Sequence, residues 1–99
     1  MIVVSGQFRL PPERIAEALP HMTKVIAASL GETGCRGYSY AEDVTEPGLF
    51  RVYEEWDSLE ALREHFATAH MREWQATRET LGFHDRKVSA YDVSGAIPL

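Results

Sequence analysis

Ninety-nine residues with 44% hydrophobic and 25% charged side chains make one ordinary globular domain, large enough to bury about 60 to 65% of the surface its unfolded chain exposes. The formal net charge of −5 is carried by mixed acidic and basic residues, which excludes the basic footprint of a nucleic-acid binder. Nothing approaches a membrane span of about 20 apolar residues, the amino terminus lacks a basic n-region, and a lone Cys35 cannot form an intramolecular disulfide, so the chain reads as cytoplasmic.

Ile2 to Arg9 is a β-branched and aromatic run stopped by Leu10-Pro11-Pro12, which reads as a first strand. Ile15, Ala18, Leu19, Met22, Val25, Ile26, Ser29 and Leu30 then recur at helical offsets, and Gly31 and Gly34 end the stripe. Pro20 lies inside it and costs about 3 kcal/mol in a regular helix interior, so a kink or two helical segments are expected. Cys35 to Glu42 and Leu49 to Trp56 are strand candidates around the turn signal Pro47-Gly48, and should pair as an antiparallel hairpin.

Asp57 or Ser58 starts the next helix, whose apolar face is Leu59, Leu62 and Phe66. Thr68 caps a further helix to about residue 80, with His70, Met71, Trp74, Arg78 and Leu81 on one face, before Leu81-Gly82 breaks it. Residues 84–93 form a final strand, and residues 94–99 a tail or exchange arm. The order predicts an α+β, ferredoxin-like split βαβ with an antiparallel four-stranded sheet and the second helix broken in two, all in a single domain, 1–99. Both alternating faces of the strands carry apolar residues, so a second copy packed sheet to sheet, a homodimer, is expected.

Three segments then carry a family resemblance. ETGCRGYSYAED (32–43) is similar to an E-x-G-C-x-x-Y pattern, YEEWDSLEALREH (53–65) to E-x-W-x-S-x-x-A-L-x-x-H, and FATAHM (66–71) to its H-x-x-T-x-H-M continuation. Together they resemble the antibiotic biosynthesis monooxygenase family, small dimeric α+β barrels that include quinol monooxygenases. The resemblance implies oxidation of an electron-rich phenol or hydroquinone by O2 without metal or flavin. Aromatic polyketide and haem-degrading members use a pocket asparagine, and this chain contains no asparagine, which argues against the haem-degrading subgroup.

Candidate site residues follow from side-chain chemistry. His65 and His70 flank the helix break, where an imidazole titrating near neutral pH offers a general base; each could instead cap a helix end. His70, Trp74 and Arg78 form an i, i+4, i+8 column able to clamp a planar anionic ligand by stacking and charge, or to pack as a tryptophan with a snorkelling arginine. Ser5, Gln7 and Trp56 are further candidate ligand contacts, Trp56 reading also as core. Glu54 faces inward and reads either as a base with a raised pKa or, preferentially, as an interface ion pair with Arg51 or Arg36.

The four histidines lack H-x-x-x-H or Cys spacing, and no phosphate-binding glycine motif occurs, so no metal or cofactor is expected. The expectation is a cofactor-independent monooxygenase with His65 as base and His70, Trp74 and Arg78 positioning the ring of a small-molecule substrate. A non-catalytic metabolite-binding dimer, or an isomerase or decarboxylase acting on an enolisable substrate, are the alternatives.

Overall fold

Alternation sends Ile2, Val4 and Phe8 of strand β1 (Ile2–Arg9) toward the helices, while Val3, Ser5 and Gln7 turn to the other side. In the computed structural model, which describes residues 1–99, β1 is central, and the antiparallel sheet runs β2-β3-β1-β4 with β2 at Cys35–Glu42, β3 at Leu49–Trp56 and β4 at His84–Asp92. Register pairs Val4 with Glu54 on one side and Ala90 on the other. This is the expected ferredoxin-like α+β arrangement, with helices on one face only.

Helix α1 (Ile15–Leu30) follows a 3₁₀ turn at Pro12–Arg14 and buries Ala18, Met22, Val25 and Ser29. It runs through Pro20 as one continuous helix; of the two expected outcomes, a kink or two segments, the split into two segments does not occur. Pro20 and Ala16 are both exposed, so the Ala16 carbonyl that loses its helical donor turns to water and the interior tolerates the proline.

Helix α2 (Leu59–Phe66) is capped by Ser58, whose hydroxyl accepts from the Ala61 N–H at 3.1 Å, while Asp57 pairs instead with Arg36. Its buried face differs from the expected stripe: Leu62 and His65 are enclosed, whereas Leu59 and Phe66 are 43% and 42% exposed. Two turns present only two side chains to the sheet, and one of them is the histidine.

Helix α3 (Ala69–Glu79) is capped by Thr68, whose hydroxyl accepts from Met71 N–H and donates to the His65 carbonyl at 2.7 Å. That single threonine joins the end of α2 to the start of α3. Met71, Trp74 and Leu81 then enter the core with Phe8, which stacks between Phe50 and Phe83 at centroid distances of 5.2 and 4.8 Å.

The opposite sheet face is uncovered, with Tyr53 and Tyr91 about half exposed. No helix is long and apolar enough to cross a membrane.

Candidate functional site

The turn after α1 brings a third residue to the two histidines. One carboxylate oxygen of Glu32 lies 2.6 Å from His65 Nδ1 and 2.8 Å from His70 Nε2. Gly34 permits that turn: it sits at φ +87°, and a Cβ there would come within 2.8 Å of Ala61 on α2. An ionised carboxylate only accepts hydrogen bonds, so Nδ1 of His65 carries the proton and Nε2 keeps its lone pair.

His65 is 1% exposed and its Nε2 has no partner. Its ring packs against Trp56 at 4.7 Å and Tyr38 at 5.3 Å between centroids. Burial drives its pKa below the ordinary imidazole value more strongly than Glu32 raises it. The buried ring is therefore neutral at pH 7, oriented through one nitrogen and basic at the other.

His65 lines a cavity between sheet and helices, with about 320 Å³ of empty space including its mouth. Phe8, Tyr40, Trp74 and Phe83 supply aromatic walls. The closed interior holds only about one or two waters, so a ring-sized ligand needs flexible groups such as Phe66 and Met71 to move aside.

Polar groups converge on this space. Tyr38 and Tyr40 share a hydroxyl–hydroxyl bond of 2.9 Å, and burial raises the pKa of Tyr38 strongly and pushes that of Tyr40 up to about 12, so both stay protonated. Trp74 Nε1 is buried without a partner. Glu54 is 6% exposed, accepts from Trp56 Nε1 at 2.9 Å, and has its pKa raised by burial. Arg78 and Arg86 complete the lining.

The structure sorts the sequence-derived candidates. His65, Trp74 and Arg78 share the cavity. His70 does not: it lies on the outer side of Glu32, in a groove between α1 and α3 with His21, Lys24 and Glu73. The continuous His70–Trp74–Arg78 clamp is thereby split, because positions eight apart on α3 reach past opposite sides of Trp74.

Ser5 and Gln7 are on the bare sheet face and away from the cavity, since odd positions of β1 point opposite to Val4 and Phe8. Trp56 is fully buried behind His65 and supports that ring without lining the cavity. Glu54 forms no ion pair with Arg51 or Arg36, which bind Asp43 and Asp57; it faces inward and they do not. Glu32 was missed as a functional residue, and the signal available was its place at the head of the ETGC segment.

Glu32, His65 and His70 also present metal-ligand atoms within 4.8 Å of one another. Zinc-type ions sit about 2.0–2.2 Å from such atoms, which spaces tetrahedral ligands roughly 3.3 Å apart. The observed 2.6 and 2.8 Å separations are hydrogen-bond lengths, so an ion would have to spread the three groups.

A family model described as antibiotic biosynthesis monooxygenase matches residues 1–77. The uncharacterized protein sll1783 of Synechocystis is 30% identical over 94% of the chain, which spans 63% of that relative's length. YcnE of Bacillus subtilis, provisionally named a monooxygenase, is 30% identical over 82% of the chain and 85% of its own. A crystal structure from Deinococcus radiodurans, provisionally assigned to antibiotic biosynthesis monooxygenases, superposes with a TM-score of 0.93 at 28% identity, covering 100% of this chain and 98% of that one.

Proposed function

The chain belongs to the antibiotic biosynthesis monooxygenase family, and on that premise we propose a cofactor-independent monooxygenase acting on a phenol, hydroquinone or similar electron-rich aromatic small molecule. The observation that carries the reading is the neutral, unpartnered Nε2 of His65 in the wall of an aromatic cavity, with Nδ1 fixed by Glu32. This is the geometry of an oriented general base.

His65 Nε2 takes the phenolic proton. In the bonded Tyr38–Tyr40 hydroxyl pair one proton is spent between the two oxygens, and the other supplies a donor for charge that develops on oxygen. The resulting phenolate is electron-rich enough to pass one electron to O2, and the radical pair recombines before it can escape; the peroxide so formed takes up the proton from His65 and loses water as its O–O bond breaks, leaving one oxygen atom on the ring. Trp74 and Phe83 hold the ring, and the enclosed walls keep water from competing. His70 acts through Glu32 as a positioning residue.

The same base and hydroxyl pair would serve an isomerase acting on an enolisable substrate, and oxygen consumption separates the two readings. The working unit of this proposal is a homodimer joined through the bare sheet face, in the cytoplasm, where the free Cys35 suits a reducing compartment. Protein stripped of metal and flavin should consume O2 with a panel of hydroquinones and anthrone-like phenols, and His65→Ala should abolish that uptake. Absence of uptake across the panel, or a His65→Ala rate equal to wild type, would sink the oxygenase reading.

A further inference from the structure

Arg78 on α3 and Arg86 on β4 both line the cavity, and neither makes an ion pair or a side-chain hydrogen bond. Arg9, Arg14, Arg36 and Arg51 each reach a carboxylate and Arg72 bonds the Ala67 carbonyl, whereas Arg63, the other arginine without a partner, is exposed on α2; Arg78 is set apart by being half-buried. With 15 acidic residues against 10 basic ones, carboxylates are not scarce.

Arg78 is half-buried, with its guanidinium carbon 4.4 Å from the Phe83 ring centroid. Burial and the neighbouring charge of Arg86 both disfavour its protonated form. A half-buried cation left without an acceptor beside a second cation is costly unless an anion joins them.

The other charged and titratable groups facing the space leave that role open. Glu54 lies near enough to feel Arg86 but not within ion-pair distance, and one of its oxygens is engaged by Trp56. Tyr38 and Tyr40 bond each other, and Glu32 is occupied by the two histidines.

Burial also orders the cavity lining. His65 is the most enclosed of the lining residues at 1% exposure, whereas Arg78 is half-buried and Arg86 exposed, which sets the two arginines on a solvent-facing side of the cavity. Aromatic side chains line the space between.

We infer that the substrate is a hydroxyaryl carboxylate: a planar ring whose phenolic hydroxyl meets His65 while its acid group is held on that solvent-facing side by Arg78 and Arg86. The guanidinium fork suits a carboxylate bidentately, and the ring between lies against Trp74 and Phe83. This rests on the oxygenase reading only for the fate of the hydroxyl; anion recognition stands as a binding property.

Binding measured anaerobically by calorimetry tests it without turnover, using 2,5-dihydroxybenzoate and 1,4-dihydroxy-2-naphthoate, their primary amides, and hydroquinone. At least one acid should bind about tenfold or more tightly than its amide, with the advantage shrinking as salt rises. Arg86→Gln, at an exposed position, and Arg78→Gln should each reduce that ratio toward one, and Arg78→Lys should restore only part of it. Equal affinity for acid and amide, no binding by either acid, or a preference that survives both Gln substitutions would overturn the inference. Acid preference without oxygen uptake would keep this inference and remove the oxygenase reading; uptake with neutral hydroquinone and no acid preference would do the reverse.

Discussion

At His65 two opposing influences on one imidazole set the pH behaviour. Desolvation wins over the Glu32 bond, so the pKa falls below 6.5 and the base is free throughout the neutral range. On the proposed mechanism kcat/KM should be flat near pH 7 and fall on acidification with an apparent pKa below 6.5. Glu32→Gln removes the charge that raises that pKa, so the acid limb should move to still lower pH while kcat drops by at least about tenfold as the ring loses its fixed tautomer. A limb that moves upward would contradict the assigned dyad. Glu54 titrates with the opposite sign. Burial raises its pKa above 4.5, so the unfolded chain gives up its proton first as pH rises, and stability present below pH 4.5 is lost through the folded pKa. Glu54→Gln, which keeps an acceptor for Trp56, should leave Tm near wild type at pH 4 and raise it at pH 8. Thermal melts at the two pH values check this.

At the scale of elements, the break between α2 and α3 does two jobs that different caps separate. Ser58 only starts α2, whereas Thr68 starts α3 and also holds the carbonyl of His65. Ser58→Ala and Thr68→Ala should each cost about 1 kcal/mol of stability in denaturant melts. Only Thr68→Ala should also lower oxygen uptake, because it frees the backbone that carries the base. Thr68 was legible as a cap and Ser58 as one of two candidates beside Asp57, and all four strands were legible, since aromatic and β-branched side chains between turn signals and Ser/Thr before an apolar period are local signals. Glu32 was not legible as a partner, because its meeting with His65 spans 33 residues and depends on how α1 docks over β2 and against α3. The clamp along α3 failed for a related reason: helical phase places His70, Trp74 and Arg78 in one column, but neighbouring elements decide which side of Trp74 each end reaches. At Pro20 the alternative of two segments fails, because whether a proline splits a helix depends on whether the freed carbonyl sees water, which periodicity does not encode.

At the scale of the molecule, dimensions of 39 × 33 × 19 Å describe two layers, helices on a sheet, with nothing on the sheet's far side. Only 20 of 99 residues are buried, so the core comes from one face alone. The bare face carries Val3 opposite Tyr91 and Ser5 opposite Tyr53, with Arg51 and Lys87 at one end already committed to Asp43 and Asp85. Four strands of eight or nine residues at their usual spacings present roughly 500 Å² in plan. Side-chain relief enlarges that toward the roughly 800 Å² per partner of a stable interface. Tyr53, Tyr91 and Val3 among serines at its centre, with paired charges at its rim, give it the aromatic anchors of a polar interface. Sedimentation at micromolar concentration should therefore give twice the 11.2 kDa chain mass, and Tm should rise with concentration. Tyr53→Glu with Tyr91→Glu sets carboxylates near Glu55 and at the patch centre, where a facing copy would bury them unpaired, so that variant should sediment as a monomer. The proposed cavity opens on the helix side of the sheet, so substrate binding by the monomeric variant should survive. A wild-type chain that sediments at 11.2 kDa would leave the tyrosine face a solvated surface and remove the homodimer from the proposed function.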